Sequence, residues 1–285
     1  MSKCEINNID SDEWLVLPHL DEFIEKMCDS NELIEAVIGS GSFFRGLQNT
    51  PYDEFRFKNK RIKNINFGVC DGVDLRFVYN RNIILTPKKE EALINIGNKP
   101  PIEIISYHKS IVTDRKNILA AKSNLDLSVS RIYAQGRILY SNSTNNGNKL
   151  GEIYELREQA IATYSNPPFE KDNKDEVQSR LDAISEMKIE IIKAQMKEKK
   201  NYQSLKSLLL TLCLYLNGVW EPRKRYERKT HLLIDPQYYQ LVFNLSSLED
   251  IEGLLLYINK KYCYDELIKI DPRENLNKLR EAGLH

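Results

Sequence analysis

Apolar positions repeat with two different periods along this chain. Leu20, Phe23, Ile24 and Met27 fall at i, i+3, i+4 and i+7, which predicts an amphipathic helix near the N-terminus. Short runs of β-branched and aromatic residues then follow between turn signals, at Glu35–Gly39, Tyr52–Lys58, Gly72–Val78 and Ile83–Leu85. Each reads as a strand, with Pro100-Pro101 as punctuation and Ile102–Tyr107 as one more strand.

From about Thr113 the period becomes helical. Ile118, Ala121, Leu125, Val129 and Ile132 keep it up to Gly136, where one helix should stop, and residues 142–148 form a polar, turn-rich loop. Asn173-Lys-Asp-Glu176 resembles a capping box, and Val177, Leu181, Ile184, Met187 and Ile191 line one face of the helix behind it, which runs to about Lys199. Leu205, Leu208, Leu209, Leu212 and Leu216 define another helix, ended by Gly218 and Pro222. Leu248, Ile251, Leu254, Leu255 and Ile258 define a third behind the cap Ser247. The expected fold class is α+β, with a mixed sheet and flanking helices over 1–112 and a helical bundle over 113–285.

Composition narrows the function classes. The 285 residues are 41% hydrophobic and 29% charged, as in ordinary globular proteins. The 41 Lys and Arg balance the 41 Asp and Glu, so a nucleic-acid partner is disfavoured and would need a local patch. No apolar stretch approaches the length of a membrane span, and the N-terminus lacks the basic and apolar regions of a signal peptide; no membrane partner and a cytoplasmic location are expected. Five widely spaced cysteines and four histidines give neither a disulfide framework nor a zinc pattern.

The candidate chemistry begins at Val37-Ile-Gly-Ser-Gly-Ser-Phe-Phe-Arg-Gly46, an apolar run ending in a Gly/Ser turn. It is neither a Walker A loop nor the dinucleotide fingerprint, since no Gly-Lys-Ser/Thr follows and Phe44 stands where the third glycine would be. Glycines there let backbone N–H groups approach a phosphate, with the Ser42 hydroxyl as a further donor. Asp74 interrupts an otherwise apolar strand, where a carboxylate must be solvated, paired or on a metal. Arg223, Lys224, Arg225, Arg228 and Lys229 place five cations in seven residues beside Trp220 and Tyr226. The general reading of such a run is a solvated helix start, partly neutralised by Glu221 and Glu227.

The segment GSFFRGLQNTPYDEF, followed by Asp74 in GVDLRF, resembles the signature of the nucleotidyltransferase superfamily. In that family a Gly-Ser pair at a strand end precedes an Asp-x-Asp/Glu pair, and a third carboxylate comes from a later strand. Ala134-Gln-Gly-Arg-Ile-Leu-Tyr140 and Leu216-Asn-Gly-Val-Trp-Glu-Pro-Arg-Lys224 are similar to segments of the antibiotic-type (DNA polymerase beta-like) members with a helical C-terminal domain. The resemblance spans about residues 33 to 226. It implies Mg²⁺-dependent transfer of a nucleoside monophosphate, AMP from ATP, to a hydroxyl of a small-molecule acceptor.

By the same resemblance Gly41, Ser42, Arg45 and Lys224 would hold the nucleotide, and Asp53 and Asp74 would carry the catalytic metal. Phe55 stands where the family has its second carboxylate, and Glu54 would join the metal only if a bulge turned it inward. Glu54, Asp71 and Glu103 are the carboxylates considered as general base. Two further readings follow from the same residues: a nucleotide- or partner-binding protein without turnover, because of Phe55, and a toxin or defence enzyme that modifies RNA or protein, with the basic run as acceptor surface.

Overall fold

The computed structural model describes residues 16–29, 33–40, 72–80, 91–96, 99–141, 149–171, 173–196 and 202–285. They form an α+β molecule that divides into two compact units. One contains the described residues up to Ala120 together with Ser128–Tyr164, and the other contains Ala121–Leu127 and Ser165–His285. The expected strands over 52–58 and 83–85 and the loop 142–148 lie outside the described residues.

The first unit is built on a five-stranded mixed sheet of order β3-β4-β2-β1-β5. Its strands are β1 (Ile34–Ser40), β2 (Gly72–Tyr79), β3 (Glu91–Ile96), β4 (Lys99–Ser110) and β5 (Arg137–Ser141). Only β2 and β4 run parallel; the pairs β1–β2, β1–β5 and β3–β4 are antiparallel. Residues 34–39 of β1 are all buried, as suits a central strand covered on both faces. Helix α1 (Val16–Asp29) lies on one face, where Phe23 meets Phe77 edge to face at 6.4 Å. Helices α2 (Ile111–Asn124), α3 (Ser128–Gln135) and α4 (Lys149–Ser165) cover the other, with Ile118, Tyr133, Ile153 and Leu156 packing on Ala36, Ile38 and Val78.

Three expectations need correction here. Pro100 and Pro101 do not punctuate the chain but lie inside β4. They precede Glu103, where pairing with β2 begins, so only β3 borders the strand there, and the missing N–H groups cost no ladder on the β2 side. The single helix expected up to Gly136 is two, because Leu125 adopts a left-handed φ of 54° and Asp126 N–H donates to the Ala121 carbonyl at 3.2 Å, closing α2. The sheet-bearing unit also extends past residue 112, because β5 adds a strand beside β1.

The second unit is helical: α5 (Lys174–Met196), α6 (Tyr202–Leu216), α7 (Glu227–Ile234), α8 (Pro236–Phe243), α9 (Leu248–Lys261), α10 (Tyr264–Leu267) and α11 (Pro272–Glu281). Val177, Ile184, Leu209, Leu212, Leu216, Ile251, Leu254 and Ile258 form its core, on the faces that the periodicity marks out. Ser247 and Asp250 make the expected α9 start a full capping box. Asp235 ties the core together: it is 1% exposed and accepts from the Tyr257 hydroxyl at 2.7 Å, the Tyr262 hydroxyl at 2.5 Å and the Tyr238 N–H at 3.1 Å, with Lys261 Nζ at 2.9 Å. Among the described residues, no helix is long and apolar enough to cross a membrane.

Candidate functional site

The sequence places its chemistry where β1 ends, and the sheet register shows what stands beside that end. Ser40 is paired with Asp74 on β2, and Gly39 lies between Leu75 on β2 and Arg137 on β5. Asp74 is level with Ile105 on β4, and Glu103 is level with Gly72, two residues earlier. One end of the sheet therefore brings the last described residues of β1 level with Asp74 on β2 and Arg137 on β5, which sit at neighbouring register positions and so on opposite faces. Asp74 is half-buried.

The glycine at 136 makes this arrangement sterically feasible. A Cβ there would collide with the Ile132 carbonyl oxygen and would stand 2.8 Å from both the Gly39 carbonyl oxygen and Ile38 Cγ2. Only a residue without a side chain lets the start of β5 come so close to the end of β1.

Behind the same face, two residues along β2, Arg76 is anchored by Asp114 in the first turn of α2. Its Nε donates to Asp114 Oδ2 at 2.7 Å and its Nη2 donates to Oδ1, while the Tyr133 hydroxyl donates to Oδ2 at 2.8 Å. Asp114 is 0% exposed. Burial disfavours the Arg76 charge, but the hydrogen bonds and charge of Asp114 outweigh it and hold the guanidinium pKa above its usual value. Burial, followed by the Asp114 charge, pushes the Tyr133 phenol well up. The triad fixes β2, α2 and α3 to one another at the level of Asp74, so it holds the strand that carries the candidate ligand.

Lys224 belongs to the helical unit. It opens a 3₁₀ turn, Lys224–Tyr226, that leads directly into α7, and its side chain is exposed. The segment before it is fixed: Gly218 takes a φ of 61°, Val219 N–H donates to the Leu214 carbonyl at 2.9 Å, Trp220 is buried and donates from Nε1 to the Asn166 carbonyl at 2.8 Å, and Glu221 N–H donates to the Leu125 carbonyl at 2.8 Å. Burial raises the Glu221 carboxyl above its usual range, as do the neighbouring charges of Asp126 and Glu227.

Of the residues singled out in the sequence, Gly41, Ser42, Arg45, Asp53, Glu54, Phe55 and Asp71 lie outside the described residues. Asp74 and Lys224 are described, each within its own unit. Arg137 was not among the candidates. It is 5% exposed and opposite Gly39, and its one sequence signal is a cation directly after a glycine at the head of an apolar strand. Among the described residues, no three His, Cys, Asp or Glu side chains cluster as metal ligands. Two cysteines are buried, and burial followed by the Asp29 charge pushes the Cys28 thiol up to about 12, which leaves it un-ionised and unreactive. No protein-family model matches the chain, and no curated protein matches it.

Proposed function

We propose that the chain is a Mg²⁺-dependent nucleotidyltransferase that moves a nucleoside monophosphate, AMP from ATP, onto a hydroxyl of a small molecule. One observation supports the reading: the Ser40–Asp74 register, which sets the last described residue before Gly41-Ser42 beside a carboxylate-bearing position on the neighbouring strand. The donor type suits a hard cation, because a carboxylate supplies oxygen. Magnesium, when bound, would supply positive charge to the phosphate oxygens and the departing pyrophosphate. Asp74 would hold it together with Asp53, backbone N–H groups of Gly41 and Ser42 would face the phosphates, and Arg45 would add charge. Glu103, whose backbone lies on the strand next to Asp74, is one of the three carboxylates considered for taking the acceptor proton.

Calorimetric titration with non-hydrolysable ATP, CTP, GTP and UTP analogues, with and without Mg²⁺, tests this reading. One analogue should bind in a Mg²⁺-dependent way, and Asp74→Asn should abolish the metal dependence; unaltered binding in that variant would remove Asp74 from the site. Phe55 favours a second reading, in which the same cleft binds a nucleotide without turnover. Phe55→Asp separates the two. A gain of Mg²⁺ affinity or turnover would place residue 55 at the metal, and an unchanged protein would detach GSFFRGLQNTPYDEF from the family signature.

A further inference from the structure

The exposed side of Lys224–Lys229 carries a charge density that the rest of the molecule does not explain. Lys224, Arg225, Arg228 and Lys229 are all exposed, and none of them makes an ion pair among the described residues. Elsewhere in the same unit, surface lysines do find acids: Lys193 pairs with Glu190, Lys269 with Glu266 and Lys278 with Glu274. Other exposed cations of this unit, Lys174 and Arg273 among them, make no ion pair among the described residues either, but Lys224–Lys229 gathers four within six residues that hold one acid.

Helix stability does not account for them either. The four stand in the 3₁₀ turn that leads into α7 and in its first turn, where Glu227 is the one acid and positive side chains work against the helix dipole. Buried residues flank the segment that carries them. Upstream, Trp220 is buried and hydrogen-bonded to the Asn166 carbonyl, and downstream Thr230 and His231 are buried on the inner side of α7. Positions 224 and 228, and 225 and 229, are four residues apart, while 224–225 and 228–229 are adjacent, so the cations form two neighbouring pairs, a compact patch. The Arg225 guanidinium lies 4.7 Å from the centre of the Tyr226 ring, a contact that fixes its plane and keeps its in-plane donors for an oxyanion.

We propose that this face binds the phosphodiester backbone of a nucleic acid. Four cations within six residues, beside a single acid, suit the successive phosphates of a polyanion rather than one small anion. Base reading has little part in it, because Trp220 is buried and Tyr226 lies under Arg225. An anionic membrane fits less well: Leu233 is the exposed large apolar residue of α7, too little for an interfacial helix. The inference is independent of the nucleotidyltransferase reading, since Arg225, Arg228 and Lys229 have no part in that site.

Fluorescence anisotropy of the full chain with labelled single-stranded RNA, single-stranded DNA and duplex DNA tests it. Binding should weaken steeply between about 50 and 200 mM salt, with a log–log slope of roughly −3 for single strands if four phosphates are neutralised. R225E/R228E/K229E reverses three of the four charges and should abolish binding at low salt, whereas neutralising the three while keeping Lys224 should flatten the slope to about −1. The neutral variant R225Q/R228Q/K229Q, checked by circular dichroism, serves if charge reversal disturbs folding. A steeper salt dependence on duplex than on single strands would support the proposal and identify the form bound. No binding to any of the three at low salt, identical binding by the variants, or equally tight binding of polyglutamate or of anionic vesicles would overturn it.

Discussion

Asp114 holds one buried guanidinium with two hydrogen bonds and one buried phenol with a third, without contact to water. Removing its charge would strand Arg76 in the interior, and an uncompensated buried ion costs far more than the pair contributes over an apolar replacement. Asp114→Asn should therefore destabilise the protein by about 3–5 kcal/mol, seen as a lower denaturation midpoint with an unchanged m-value. His231 makes the opposite case. Both of its ring nitrogens are buried without a hydrogen-bond partner, its ring stacks on Tyr239 at 6.0 Å, and burial lowers its pKa from 6.5 to about 4, although Asp235 pulls it up. The unfolded chain takes up a proton at this residue as the pH falls through 6.5, whereas the folded chain resists until about 4. Stability should accordingly be lost as the pH falls across that window, by about 3 kcal/mol in all, and His231→Leu should remove this part of the pH dependence. Parallel urea titrations at several pH values would show it, and parallel curves for the two proteins would refute it.

Two short elements depend on a backbone that their residue types do not advertise. Leu125 ends α2 in a left-handed conformation that glycine would adopt without strain, yet its side chain is 2% exposed among Phe169, Leu214, Val219 and Leu279. Glycine there would relieve about 1 kcal/mol of backbone strain and lose the burial of a leucine, about 2–5 kcal/mol. The second effect is larger, so Leu125→Gly should destabilise by about 2 kcal/mol on equilibrium unfolding. Gly136 is the converse. Gly136→Ala would drive a methyl into Ile38 and the Gly39 carbonyl, costing about 1–3 kcal/mol. Because Gly39 stands two residues before Gly41, the same variant should weaken nucleotide affinity more than a core substitution of similar cost in the helical unit, such as Ile251→Val. Equal losses of affinity would separate the end of β1 from the nucleotide.

At the scale of the molecule, balanced charge and a pI near 6.9 leave little net repulsion between copies near neutral pH. Solubility in a precipitant series should be lowest near pH 7 and rise on either side, and a monotonic profile would show that local patches dominate. The division into units also explains why composition misplaced the first boundary. The change from strand-like to helix-like residues near 113 is real in sequence, but β5 returns to the sheet after α2 and α3, and only pairing with β1 makes residues 137–141 part of it.

Periodicity and punctuation alone determined much of the architecture. The buried stripes of α5, α6 and α9, the cap at Ser247 and the apolar runs of β1 and β2 are local patterns, because burial on one face of a helix or within a central strand selects residues at fixed spacing. The α+β class followed from their order. Other features rest on partners distant in sequence. The break at Leu125 depends on a pocket formed by residues 169 to 279, β4 tolerates two prolines because β2 begins to pair only at Glu103, and Ser40 meets Asp74 through a strand pairing across more than thirty residues. Arg137, faintly marked in the sequence, becomes a candidate only opposite Gly39. Spacing fixes which side chains one element presents together, whereas juxtaposition between elements is decided by sheet register and core packing, and here those bring Asp74 of β2 and Arg137 of β5 level with the end of β1.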